Sequence, residues 1–306
     1  MNISSDFEKY LTEQDCAKST VLGYYLADME HFARWFKQTN AEDMAPQNIT
    51  PTDVKEYKQF LLTIQRRKAS TINRHLAALS AYVRWARQSK QIDSDPTEYV
   101  KSVPQVANAP KWLDKKEQYA LQRSIERDMQ ISKQRFPKRW KTRRRDASLV
   151  MFLLHTGLRL SEATALRLTD VQITERKGTV LVQNGKGSKQ RTIPLNTDAR
   201  KALEAWLEVR PSTDSDFLWV SIDADTEGMS ARAVQRILGR YGTAAGLLEL
   251  TPHICRHTFA KNLVNSGASL EKVASLLGHS NLNTTRVYIT PDEHDLELAV
   301  EKLTRL

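Results

Sequence analysis

Cysteine is nearly absent: Cys16 and Cys255 are the only two in 306 residues. Two thiols so placed offer neither a disulfide framework nor the spacing of a metal site. Both are expected to stay reduced, as in a cytosolic compartment. Long apolar runs are missing too. No stretch approaches the ~20 apolar residues of a membrane span. The opening residues, Met1-Asn2-Ile3-Ser4-Ser5-Asp6, lack the basic and apolar regions of an export signal. Repeats and low-complexity tracts are absent from the first hundred residues. These absences predict a soluble, cytoplasmic chain with no membrane partner.

Charge is plentiful and unbalanced. The formal net charge is +10 and the sequence pI is about 9.5. Such an excess points to a polyanionic partner, nucleic acid first. Residues 1–105 hold 14 Lys and Arg against 13 Asp and Glu, whereas residues 106–306 hold 32 against 23. More of the phosphate contact is therefore expected in the second part. A hydrophobic fraction of 40% supports a real core, and the length suits about two domains.

Helical periodicity runs through the first hundred residues. Phe7, Tyr10 and Leu11 share a face. Ser19-Thr20 can cap a second helix, with Tyr24, Tyr25, Met29, Phe32, Trp35 and Phe36 on its apolar side. Thr50 as N-cap and Pro51 at the first helical position start a third. Ser70 or Thr71 opens a fourth, which carries Ile72, Leu76, Leu79, Tyr82, Val83 and Trp85. The aromatics read as core. Arg66, Arg67, Lys68, Arg74 and His75 are the exposed basic candidates. Residues 104–112 read as a linker, since Pro104 and Pro110 resist continuing a helix. The domains are then 1–103 and 113–306, with Asp114 capping the next helix.

Residues 133–145 hold Lys133, Arg135, Lys138, Arg139, Lys141, Arg143, Arg144 and Arg145, broken by Phe136, Pro137 and Trp140. Cations at this density need a counter-charge. The segment is expected to be a phosphate-tracking loop anchored by Trp140. An apolar helix follows, Ala147 to Leu154. Residues 179–183 and 191–195 read as strands joined by an Asn184-Gly185-Lys186-Gly187-Ser188 turn. Residues 217–220 read as another short strand. The fold class is mainly α in two domains, the second with a small antiparallel sheet.

Chemistry-bearing residues recur in order. Arg159 lies in Thr156-Gly157-Leu158-Arg159-Leu160-Ser161-Glu162 at a junction between helices, where its guanidinium could reach a phosphate. Lys186 lies between two glycines at a hairpin tip, placed to protonate a leaving oxygen. Lys189 and Arg191 flank it and could touch backbone phosphates. Thr251-Pro252 starts a helix on which His253 and Arg256, three apart, share a face. Arg256 can grip phosphate oxygens in a bidentate manner, and His253 can exchange a proton near neutral pH. His257 also falls on this face, but no third ligand and no helix-motif glutamate accompany the histidine pair, so zinc is rejected. A structural hydrogen bond is expected of His257. Gly278 ends a helix before His279, and Tyr288 lies nine residues on, in a short helix begun near Asn283.

With these residues in view, the chain resembles the tyrosine recombinase (phage integrase) family over nearly its whole length, with a layout similar to bacterial Xer-type enzymes. The family's TGLR-x-SE arginine falls on Arg159 and its hairpin lysine on Lys186. Its HxxRH histidine and arginine match His253 and Arg256, its LGH histidine matches His279, and its nucleophile matches Tyr288. The first domain is similar to the family's SAM-like core-binding domain. The basic stretch at 133–145 is longer than in compact Xer-type members, and Cys255 stands where an apolar residue is usual. Both differences suggest a mobile-element integrase or resolvase.

The resemblance implies a site-specific recombinase that needs neither cofactor nor metal. Tyr288 would form a 3′-phosphotyrosine, which conserves bond energy until a partner strand's 5′-hydroxyl attacks it. A phenol has a pKa near 10, so about one in a thousand is ionised at pH 7. Attack therefore needs cations already in place. Arg159 and Arg256 would clamp non-bridging oxygens, His279 would donate to them, and His253 would accept the phenol proton in a role that could be shared. Lys186 would protonate the departing 5′ oxygen. Two such rounds would pass through a Holliday junction on double-stranded DNA with inverted-repeat core sites. Integration, excision and resolution stay open, as do accessory proteins. Four protomers are implied, joined by the apolar tail that holds Leu296, Leu298, Val300 and Leu303, and the protein would work at the bacterial nucleoid. A type IB topoisomerase uses a similar residue set to relax DNA. The helical first domain and the tail favour recombination. Intact catalytic positions argue against a non-catalytic DNA-binding protein.

Overall fold

In the computed structural model the chain divides into two compact units, Met1–Asn108 and Ala109–Leu306. The structure describes residues 5–13, 19–105, 110–183, 190–221, 228–279, 281–288 and 300.

The first unit is helical. It comprises α1 (Ser5–Glu13), α2 (Ser19–Asn40), a 3₁₀ turn at Pro46–Asn48, α3 (Pro51–Thr63) and α4 (Ala69–Gln88). The start of α3 follows the local signal: Thr50 Oγ1 accepts from Asp53 N–H, and the Asp53 carboxylate accepts from Thr50 N–H at 2.8 Å. α4 begins earlier than expected, at Ala69, with Lys68 as an N-cap that makes no side-chain bond. α2 packs on α4, and α1 and α3 close the sides. Phe7, Phe32, Phe36, Tyr57, Tyr82 and Trp85 fill the centre, the core role expected of them. Arg66, Arg67 and Lys68 are exposed on the α3–α4 turn. Arg74 is not a free cation: it donates to Asp28 at 2.9 Å and lies over the ring of Tyr24, which is exposed rather than in the core. His75 is not exposed either, being buried against Asp28 in the packed face of α4.

The second unit is built round one central helix. Its elements are α5 (Lys115–Arg135), α6 (Trp140–Thr156), α7 (Leu160–Ala165), a 3₁₀ turn (Leu168–Asp170), β1 (Val171–Ile173), β2 (Gly178–Val182), β3 (Arg191–Pro194), α8 (Thr197–Leu207), α9 (Ala231–Ala245), α10 (Pro252–Asn265), α11 (Leu270–Leu277) and α12 (Asn283–Arg286). α6 contacts α5, α8, α9 and α10. Asp114 caps α5 through a box with Glu117. β1, β2 and β3 form one antiparallel sheet in that order, with Val180 opposite both Val171 and Ile193. Sequence patterning found β2 and β3 but missed β1, whose three residues are too few to show alternation. Residues 217–220 are not a strand. They make only isolated bridges, Arg167 to Phe217 and Val220 to Gly228.

The basic stretch 133–145 is likewise not a loop. It is the end of α5, a short turn, and the start of α6. Trp140 is half-buried beneath the Lys133 ammonium. Lys138, Arg139 and Lys141 are exposed, and Arg144 is partly so. Arg143 bonds Asp128 and covers the Phe136 ring. Arg145 departs furthest from expectation. It is 7% exposed, paired with Asp146 at 2.7 Å and bonded to the Val220 carbonyl. The heart of α6 starts at Arg145, and a charge there must be paired inside the protein. Among the described helices, none is long and apolar enough to cross a membrane.

Candidate active site

The site gathers where α6 ends, α7 begins, α10 passes and α11 ends. Gly157 terminates α6 with φ +61°. A side chain there would be strained in that left-handed backbone and would meet Phe259 at 2.4 Å. The tight turn aims the Gly157 carbonyl at Arg256, which donates to it at 2.7 Å. Thr251 caps α10 by accepting from Ile254 N–H, and Pro252 occupies its first turn, as the sequence indicated. The helical spacing then sets His253, Arg256 and His257 along one face. His253 is exposed and Arg256 is buried.

Three arginines from three elements hold the end of α11. Arg191 Nε donates to the Leu276 carbonyl at 2.9 Å, Arg256 Nη2 to Leu277 at 2.7 Å, and Arg159 Nη2 to Gly278 at 3.1 Å. Helix C-termini leave their last carbonyls unpaired and carry partial negative charge, so cations are drawn to them. Gly278 ends α11 with φ +67°, and a Cβ there would come 2.8 Å from the Arg191 guanidinium. Only glycine lets the chain turn this close to Arg191, and His279 is the next residue.

Glu162 ties the arginines together. Its carboxylate accepts both Nη atoms of Arg191, at 2.9 and 2.7 Å, and Arg159 through Nη1 at 2.9 Å and the backbone N–H at 2.8 Å. Burial alone would raise its pKa. The bonds from Arg191 and Arg159 outweigh that and hold it down at about 2, so it stays ionised. Arg256 is lowered to about 10, by burial first and then by Arg159, and remains protonated. Each of Arg159 and Arg256 uses two side-chain N–H groups on the described protein, which leaves donors for an anion.

His279 is half-buried, with Nδ1 2.9 Å from Thr285 Oγ1. Burial and then the nearby Arg256, Arg159 and Arg191 charges lower its pKa to about 4, so it is neutral at pH 7. Tyr288 follows α12 in a turn, two residues past its end. It is 1% exposed among Ala260, Val273 and Leu277. Burial raises its pKa, opposed by Arg256. Its hydroxyl lies 2.6 Å from His257 Nδ1. No such bond joins it to His253, whose ring is 6.4 Å from that of His257.

The structure thus gathers Arg159, Arg256, His279 and Tyr288, with His253 at the outer end of the α10 row. Lys186 and Lys189 lie outside the described residues, as do Cys16, Leu296, Leu298 and Leu303. Arg191 is corrected: its side chain is 9% exposed and spent on Glu162 and Leu276, so it is a structural clamp rather than a phosphate contact. Sequence reasoning missed the role of Glu162, although Arg159 and Glu162 have capping-box spacing. Cys255 is fully buried beside Arg256, and burial pushes its thiol up to about 12, which leaves it inert.

Residues 111–294 match the model described as "Phage integrase family", and residues 3–93 match "Phage integrase, N-terminal SAM-like domain". The tyrosine recombinase XerC of Bacillus licheniformis is 31% identical over 299 residues, covering 94% of this chain and 91% of that protein. A TnP I resolvase from Bacillus thuringiensis is 25% identical and covers 99% and 100% respectively. A crystal structure of a XerH site-specific recombinase bound to palindromic difH substrate shares the fold, with a TM-score of 0.76 at 22% identity over 96% of this chain and 83% of that one. The chain belongs to the phage integrase family and is a tyrosine site-specific recombinase.

The exposed cations Lys138, Arg139 and Lys141 yield a direct prediction. Changing all three to Gln should weaken DNA binding and flatten its salt dependence by about one unit of slope for each phosphate no longer neutralised. Retention of duplex DNA at several salt concentrations measures this. An unaltered slope would make that surface merely solvated.

Proposed function

We propose that this protein exchanges DNA strands through a 3′-phosphotyrosine on Tyr288 and a Holliday junction. It would act as a homotetramer on double-stranded DNA with inverted-repeat core sites. The observation that carries this is the convergence of Tyr288 with two arginines and a neutral histidine: Arg256 on the Leu277 carbonyl, close enough to act on the phenol's charge, Arg159 on the adjoining Gly278 carbonyl, and His279 the next residue. Fixed donors of this kind favour charge that develops at a phosphorus centre.

Arg159 and Arg256 would bind the non-bridging oxygens with their remaining N–H groups. His279 is neutral and has one N–H. With the Thr285 hydroxyl donating to Nδ1, that proton is on Nε2, free to point at phosphate. Lys186 would protonate the 5′ oxygen, and His253, to which the resemblance gives the phenol proton in a role that could be shared, stands at the exposed end of α10 without a bond to the Tyr288 hydroxyl. Residues 1–103 would serve as the core-binding domain and residues 113–306 as the catalytic domain, joined by 104–112. Arg66, Arg67, Lys68, Lys138, Arg139, Lys141, Arg144 and Lys189 are the backbone-contact candidates, with partial contributions from Arg74 and Arg143. Likeness to a named resolvase over 99% of the chain supports work on a mobile element or replicon dimer. The family match and the SAM-like domain weigh against a relaxing topoisomerase.

The test starts with duplexes that the full-length protein retains from fragmented genomic DNA. Two copies of the tightest-bound duplex are placed on one plasmid between distinguishable markers. Exchange of the markers without ATP or added metal is the expected result. Relaxation of the plasmid without exchange would refute the proposal.

A further inference from the structure

The contact between His257 and Tyr288 asks what takes the proton when the phenol attacks. A phenol that ionises rarely at neutral pH needs an acceptor within hydrogen-bond reach. His253 does not touch the hydroxyl, whereas His257 Nδ1 stands 2.6 Å from it. The two rings are 5.5 Å apart between centroids. α10 holds the imidazole from one side, and the turn after α12 holds the phenol from the other. This arrangement orients the pair before any substrate arrives.

We infer that His257 is a catalytic residue, the general base that accepts the Tyr288 phenol proton. The inference rests on the reading of Tyr288 as the nucleophile. As the phenol oxygen bonds to phosphorus, its proton passes to His257 Nδ1. The P–O5′ bond breaks, and the departing oxygen takes a proton from the general acid, Lys186 in the reading above. In religation the attacking 5′-hydroxyl gives its proton back to that now deprotonated acid as its oxygen bonds to phosphorus, the bond from phosphorus to the Tyr288 oxygen breaks, and His257 returns its proton to the released phenolate. The neutral tautomer this needs has Nδ1 bare and hydrogen on Nε2, so that Tyr288 donates.

The groups facing His257 are Tyr288, His253, Arg256 and His279. Burial first, then His253 and Arg256, lower its pKa below the ordinary imidazole value. It is therefore unprotonated at pH 7 and becomes charged only in acid. The cleavage rate should fall as pH drops through that lowered value, where the base is lost.

Asparagine separates base from prop. In His257→Asn the amide oxygen can take the place of Nδ1 and accept the phenol's hydrogen bond, but it cannot carry the proton away. The measurement is single-turnover formation of the covalent protein–DNA complex across pH, on denaturing gels. The probe is a duplex recovered by its binding to the full-length protein and nicked within its spacer. His257→Asn and His257→Ala should both bind this duplex as the wild type does and react about 10²- to 10⁴-fold more slowly. Both should lack the acid limb, and His253→Asn should keep it. Three results would overturn the inference: His257→Asn reacting at the wild-type rate, either variant reacting faster than wild type (a latch on the tyrosine), or the limb vanishing only in His253→Asn. Absence of a covalent complex from the wild type itself would instead sink the nucleophile assignment.

Discussion

Tyr288→Phe should bind site DNA with little change and form no covalent complex. The substitution removes one oxygen from a ring that is otherwise packed against Ala260, Val273 and Leu277. The apolar contacts remain. Removing the hydroxyl leaves His257 Nδ1 without its partner, at a cost of about 1 kcal/mol. The fold should therefore melt within a few degrees of wild type, by the usual scaling of about 2–4 °C per kcal/mol for a domain this size. Chemistry has no such reserve. Without the nucleophile, covalent product should fall on the order of 10³-fold or more, below detection. A trapped protein–DNA band from the variant would show that another group attacks. Failure of binding together with failure of cleavage would instead mark Tyr288 as a packing residue.

Much of the site was legible because each part carries its own local signal. Gly157 and Gly278 mark helix ends that only a left-handed residue can make, and both are there. Thr251-Pro252 announces a helix start, and helical spacing then sets His253, Arg256 and His257 on one face. What the sequence hid depends on packing between elements far apart in the chain. Arg191 looks like any strand-end cation until Glu162, 29 residues away, and Leu276, 85 residues away, close round it. The hydrogen bond expected of His257 is there, but spacing along α10 could not name its partner, a tyrosine 31 residues downstream. Arg145 shows the opposite error. In composition it extends a basic run, yet α6 turns it inward to Asp146 and Val220. Charge density cannot distinguish a cation facing solvent from one that neutralises a buried carboxylate.

That difference makes Arg191 the sharper test of the arginine clamp. Arg191→Ala would leave the Glu162 carboxylate, itself 7% exposed, with Arg159 as its remaining cation, and would free the Leu276 carbonyl. Removing one partner from a buried pair of this kind typically costs about 3–5 kcal/mol. The end of α11 would loosen, and with it the positions of Arg159 and His279. We expect a clear drop in melting temperature, and much slower covalent-complex formation even at temperatures where the variant stays folded. Arg191→Lys restores a charge but not the planar fork that spans both Glu162 oxygens while Nε reaches Leu276, so it should recover only part of either loss. Binding should weaken little, and its salt slope should stay as in wild type, because no phosphate contact is removed. Thermal melts beside salt-dependent retention of duplex DNA separate the two accounts: a flattened slope with an unmoved melt would return Arg191 to the DNA interface and break the clamp.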